Sequence, residues 1–215
     1  MFRLVPYILE LTGRDNPAVC CVATATGDAP ESFLRFYETF GAYRCRPSHI
    51  RLFGIPTPGW REHLLAQDVI FVGGGNTANM LAVWRVHGVE EVLREAWERG
   101  IVLSGGSAGA ICWFERGVSD SFREELDGIE CLGWLSGSCC PHYDGEAARR
   151  PAVERLLREG FPAGIAIDDH AAARYSRTEL AEVVAAVPDA GAYRVEPADG
   201  GVRETALPVR HVAGP

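Results

Sequence analysis

Three short segments of the chain carry residue types and spacings that could do covalent chemistry. The first is Leu103-Ser104-Gly105-Gly106-Ser107-Ala108-Gly109-Ala110, in which Gly105-x-Ser107-x-Gly109 directly follows an apolar run. A serine between small neighbours at a sharp strand-to-helix turn presents both its hydroxyl and the next amide to a substrate, so this is a nucleophile-elbow pattern. The second is Val72-Gly73-Gly74-Gly75-Asn76-Thr77, where three glycines let another group approach the backbone closely and their amides can face a developing anion. Both loops would leave the carboxyl ends of parallel strands, the edge at which open α/β sheets bind ligands. Gly75 and Ala108 are therefore candidate oxyanion donors, and Asn76 and Thr77 candidate substrate contacts. The third segment, Ser138-Cys139-Cys140-Pro141-His142-Tyr143-Asp144, holds a histidine behind a rigid proline, and His142 is the first candidate for a base. His170, after Asp168 and Asp169, is the second. His49, His63, His87 and His211 sit in segments with no such context.

Competing chemistries are weaker. Gly73-x-Gly75-x-x-Ala78 with Glu95 downstream approaches a dinucleotide fingerprint, but it does not lie in the first βαβ unit. Cys139, Cys140 and His142 are close together, yet adjacent cysteines bite poorly on a tetrahedral metal and no CxxC or HExxH spacing occurs, so no metal or cofactor is expected. Either cysteine could act as a nucleophile, but only Ser107 has the elbow. With no lysine among its 21 basic residues, the chain cannot use a P-loop lysine, a Schiff base or a Ser-Lys dyad. A net charge of −8 disfavours nucleic acid. Seven cysteines, two pairs of them adjacent, do not resemble a secreted disulfide framework. No stretch has the length of a membrane span and the start lacks a leader pattern, so a cytoplasmic protein with no membrane partner is expected.

These residues need a scaffold, and 215 residues with 47% hydrophobic composition suffice for one domain over 1–215. Short apolar runs alternating with amphipathic stretches predict an α/β fold. Strands are expected over 19–23, 50–53, 68–72, 101–103, 164–167 and 191–195. Helices are expected over 31–40, 80–100 (one or two) and 151–159, and the tail from Pro197 should form a hairpin or loose end.

Taken together and in order, Val72 to Thr77, Gly106-Ser107-Ala108-Gly109-Ala110 and Pro141-His142 resemble the peptidase E family of serine peptidases, whose relatives include cyanophycinase. The resemblance covers roughly residues 19 to 195. It implies a three-layer α/β sandwich with a mostly parallel central sheet, like class I glutamine amidotransferases, and a metal-free peptidase acting on short peptides, in peptidase E itself dipeptides with N-terminal Asp. It also allows a homodimer. Residue by residue, Ser107 matches the nucleophile and His142 the base. Asp169 matches the third member, where relatives have Glu, with Asp168 beside it as an alternative. Asp120, thirteen residues after the serine, matches a second family acid, read as a triad alternative or as the anchor of a substrate ammonium. Arg149 falls where the family has an arginine that would pair an acidic side chain. Relatives carry a strand and Gly-rich turn ahead of the segment matching Val5 to Gly13, absent from this sequence. Two other readings stay open: an esterase ordered Ser107, Asp120, His142, although thirteen residues is short for that fold, and a non-catalytic binding module that kept the pocket.

Overall fold

A computed structural model describes residues 2–199 and 201–212. By contact density the chain forms two compact units, Val5–Ala110 and Ile111 to the C-terminus, the second joined by the first four residues.

The first unit contains α1 (Val5–Glu10), β1 (Ala18–Val22), α2 (Pro30–Phe40), β2 (Arg46–Ile50), α3 (Trp60–Leu65), β3 (Val69–Val72), α4 (Thr77–His87), α5 (Val89–Glu98), β4 (Val102–Gly105) and the start of α6 (Ala108–Ile111). Its four strands lie in the order β2-β1-β3-β4, all parallel. The chain steps one way from β1 to β2 and the other way from β2 to β3 and β4. Right-handed crossovers then put α2 on one face and α3 to α5 on the other, and α5 does pack against both α3 and α4. Burial on both faces explains why β1 and β3 are unbroken apolar runs, every residue of each buried. Phe36 and Phe40 of α2 meet Phe71 of β3 at ring-centroid distances of 6.1 and 5.3 Å. Gly88, in the left-handed conformation at φ 66°, ends α4 and starts α5, dividing the expected 80–100 segment in two.

The second unit contains β5 (Phe114–Ser119), β6 (Asp127–Glu130), β7 (Leu135–Cys140), α7 (Arg149–Arg158), β8 (Gly164–Ile167), β9 (Ala171–Ser176), β10 (Glu179–Ala185), β11 (Ala192–Ala198), β12 (Gly201–Ala206) and β13 (Val209–His211). Six strands form a mixed sheet in the order β12-β11-β8-β7-β5-β6, and β13-β10-β9 form a smaller one. The core is built on α7. Its Ala152, Val153, Leu156 and Leu157 pack with Val118, Leu126, Cys140, Phe161, Ala166 and Val195, each fully buried Leu contributing about 1.5–3 kcal/mol.

The architecture is α/β with mostly parallel pairing, as the alternation of runs predicts. The largest shift of a boundary is at β2. The strand expected at 50–53 lies at Arg46–Ile50, a half-exposed edge strand whose Pro47 fits because β2 pairs on one side only. Of the two forms expected for the tail, the hairpin is the one found: β12 pairs antiparallel with β11, and β13 then runs parallel to β10. Among the described residues no helix is long and apolar enough to cross a membrane.

Candidate active site

In the first unit, β4 ends in the glycines that lead to Ser107, and Ser107 holds φ 55°, a left-handed backbone unusual for a residue with a side chain. Such strain costs on the order of 1–3 kcal/mol and persists only where its surroundings enforce it. Here they do. A Cβ on Gly105 would come within 2.6 Å of the Val72 carbonyl oxygen, and one on Gly109 within 2.1 Å of the same atom. The Gly109 amide donates to Gly106 O (3.0 Å) and the Ala110 amide to Ser107 O (2.9 Å), closing the turn, with buried Ala108 opening α6. Gly109→Ala is therefore expected to force β3 and the elbow apart, costing about 2 kcal/mol and lowering the melting temperature by roughly 5 °C. An unchanged melting temperature would show that the elbow yields freely.

The glycine loop after β3 has a separate explanation for each residue. A Cβ on Gly74 would sit 3.0 Å from Ser107 Cβ and 3.6 Å from its Oγ, so Gly74 lies directly against the serine. A Cβ on Gly75, at φ 135°, would meet Ala25 O at 2.4 Å, and the Asn76 amide donates to that same oxygen at 2.8 Å. Gly73 donates to Val22 O. The glycines therefore admit the β1 loop and the serine rather than marking a dinucleotide site. Asn76 caps α4, its side chain accepting from the Asn79 amide, and Thr77 is buried in the first turn.

In the second unit, β7 and β8 are adjacent and parallel, with Cys140 opposite Ala166, so the loops that leave their carboxyl ends emerge side by side. His142, on the first loop, holds φ 54°. Its Nδ1 lies 2.7 Å from Oδ1 of Asp169 on the second. A carboxylate can only accept, so Nδ1 carries a proton, and in the neutral ring the lone pair is on Nε2. Two further bonds tie the loops together: the Tyr143 amide donates to Ile167 O (3.1 Å), and the Asp169 amide donates to Asp144 Oδ1 (2.7 Å).

The other acids part company with His142. Asp168 is buried; its Oδ2 accepts from the Gly191 amide at 2.9 Å, and burial pushes its carboxyl up from the usual range. Asp120 stands exposed in the connection between β5 and β6. His170, at φ 64°, belongs to the turn into β9. Arg149 departs furthest from expectation. It is buried, its Nε donates to Glu146 (2.8 Å) and its Nη1 to Val118 O (2.9 Å), so the guanidinium fastens α7 to β5 instead of standing open to a substrate carboxylate. Cys139 and Cys140 are buried too. Burial pushes the Cys140 thiol up to about 12 and raises the Cys139 thiol as well, so neither supplies a thiolate near neutral pH. Among the described residues no group of three or more His, Cys, Asp or Glu is arranged to hold a metal ion.

Comparison with known proteins bears on the same segments. The model of Peptidase family S51 matches residues 1–183, a span that includes the elbow, the glycine loop, His142 and Asp169. The chain belongs to peptidase family S51. Within this family it is 44% identical over 207 residues to an uncharacterized peptidase, YgaJ, of Bacillus subtilis (strain 168), across 96% of this chain and 90% of that one. Two crystal structures share the S51 chain's fold at 16% identity. A peptidase from an acI-B1 Actinobacterium superposes with a TM-score of 0.70 over 96% of this chain and 89% of its own. A protein from Listeria monocytogenes EGD-e, described as a peptidase E, does so at 0.62 over 96% and 95%. Membership in S51 carries the reaction class of a serine peptidase.

Proposed function

We propose that this serine peptidase cleaves short peptides through an acyl-enzyme on Ser107, with His142 as its base and Asp169 as the acid that orients His142. The observation that carries the reading is the 2.7 Å bond from His142 Nδ1 to Asp169, which leaves Nε2 as the basic nitrogen. In this mechanism Nε2 takes the Ser107 proton as Oγ attacks the scissile carbonyl, and the oxyanion is held by the amides of Gly75 and Ala108. His142 then gives its proton to the leaving amine, and water, deprotonated by the same nitrogen, releases the acyl group. Asp120 is assigned to the substrate's ammonium group, which needs a carboxylate partner at neutral pH.

An N-terminal Asp is the side chain this reading places first. Arg149 is not its selector, because its donors are committed inside the fold.

The test is a panel of Asp-Leu, Glu-Leu, Ala-Leu, Leu-Leu and acetylated Asp-Leu, assayed with a chelator present, alongside fluorophosphonate labelling located by mass spectrometry. The expected result is label on Ser107 and chelator-resistant cleavage of free-amine Asp-Leu. Cleavage of Ala-Leu or Leu-Leu at equal rates removes the Asp preference and keeps the peptidase. Label elsewhere, or none together with no cleavage, overturns the serine assignment.

A further inference from the structure

We propose that Tyr143, Glu204 and Arg150 form a clamp that positions His142, making the β11–β12 hairpin a working part of the catalytic apparatus. The inference rests on the reading of His142 as base. Tyr143 follows His142 in the chain and is buried, and its amide is bonded to the end of β8. Its hydroxyl runs outward to donate to Glu204 Oε2 at 2.7 Å. Glu204 lies on β12, opposite Val195 of β11, outside the residues 1–183 that the family model matches. Arg150, on the first turn of α7, donates to both Glu204 oxygens at 2.6 and 2.5 Å and stacks over the Tyr143 ring with its guanidinium carbon 4.2 Å from the centroid. One carboxylate thus receives a hydroxyl and a guanidinium while the same guanidinium covers the ring, a charge-assisted arrangement stronger than a neutral hydrogen bond.

The need for such a clamp follows from the backbone. His142 sits at φ 54°, and the loop returns at once, the Glu146 amide bonding His142 O at 3.1 Å. The bond to Asp169 holds the imidazole from its Nδ1 side only. Rotation about the strained residue is resisted by Tyr143, fixed at its amide by β8 and at its hydroxyl by β12. The Tyr143 ring packs in the α7 core beside Tyr193, while a cavity of about 370 Å³ opens next to Tyr143, Arg150 and Glu204, so at the hydroxyl end it is the bonds to Glu204 that hold the side chain. Small misplacement of a base is costly, about 100-fold for 1 Å in oriented reactions.

Tyr143, Glu204 and Arg150 are positioning residues, and the test separates positioning from mere support of the fold. Tyr143→Phe keeps the ring and loses the hydroxyl bond; Glu204→Ala removes the acceptor; Glu204→Gln keeps an acceptor for the hydroxyl. Steady-state kinetics on the best dipeptide, normalised to fluorophosphonate-titrated sites, should show kcat lowered about 10-fold in Tyr143→Phe and Glu204→Ala with KM within twofold, and most of the loss restored in Glu204→Gln. If both variants keep wild-type kcat per titrated site while their melting temperatures fall, the hairpin only supports the fold and the proposal is overturned. Ser107→Ala run in parallel keeps the two readings apart: hydrolysis surviving in it removes the assignment of nucleophile and base, whereas a dead Ser107→Ala beside wild-type Tyr143→Phe removes only the clamp.

Discussion

Ser107→Ala should lower kcat on the best dipeptide by a factor on the order of 10⁵ to 10⁶, with the folded state intact. The size follows from what is removed: in the acyl-enzyme route every turnover forms and breaks a bond to the serine oxygen, and no side chain beside it can take its place. The cysteines that the sequence offers as rival nucleophiles, Cys139 and Cys140, are buried, and burial pushes both thiols up. The fold should survive, because the exchange deletes one hydroxyl from a half-buried residue and leaves the glycine contacts of the elbow untouched. Residual turnover measured by chromatographic detection of free leucine is the deciding quantity. A loss of less than 10-fold would sink the acyl-enzyme, and a loss of soluble protein would point to Ser107→Cys as the variant to assay instead.

Asp169→Asn carries the second largest effect, about 10⁴-fold in kcat. An amide in place of the carboxylate can turn its NH₂ toward Nδ1, which then becomes an acceptor and moves the proton to Nε2, the nitrogen needed as base. Geometry is otherwise kept, since the Asp169 amide still donates to Asp144 and the side-chain volume is unchanged. The other two candidate carboxylates make internal controls. Asp168→Asn retains an oxygen for the Gly191 amide and should keep most of kcat, whereas Asp120→Asn should act on KM by weakening the hold on the substrate's ammonium. A large kcat loss in Asp168→Asn with none in Asp169→Asn would reverse the assignment of the orienting acid.

What could be read from the sequence tracks how local each feature is. The strands at Ala18–Val22, Val69–Val72 and Gly164–Ile167 are recognisable because parallel strands covered on both faces are written in consecutive apolar residues. Leu135–Cys140 is not, because Ser136, Gly137 and Ser138 look like a turn; the strand exists through its ladder to β5 and β8. The elbow is legible since its glycines serve contacts within a few residues and with one neighbouring strand. The partnership of His142 with Asp169 spans 27 positions and is created by the register of two parallel strands, which no local pattern records. Arg149 misleads for the same reason. Its place in the chain matches an arginine that would pair an acidic side chain, and the bond to the Val118 carbonyl, 31 residues away in sequence, is what draws it inside. Tyr143 and Glu204, 61 positions apart, carried no signal at all.

The left-handed backbone at Ser107 also limits what evolution or an engineer can put there. Threonine offers the same hydroxyl, but a branched Cβ at φ 55° is a true conformational outlier, and the serine Cβ is already closely approached, a Cβ on Gly74 falling 3.0 Å from it. An unbranched thiol fits the same backbone. The substitution open at Ser107 is therefore one of heteroatom, sulfur for oxygen, and not one of side-chain shape.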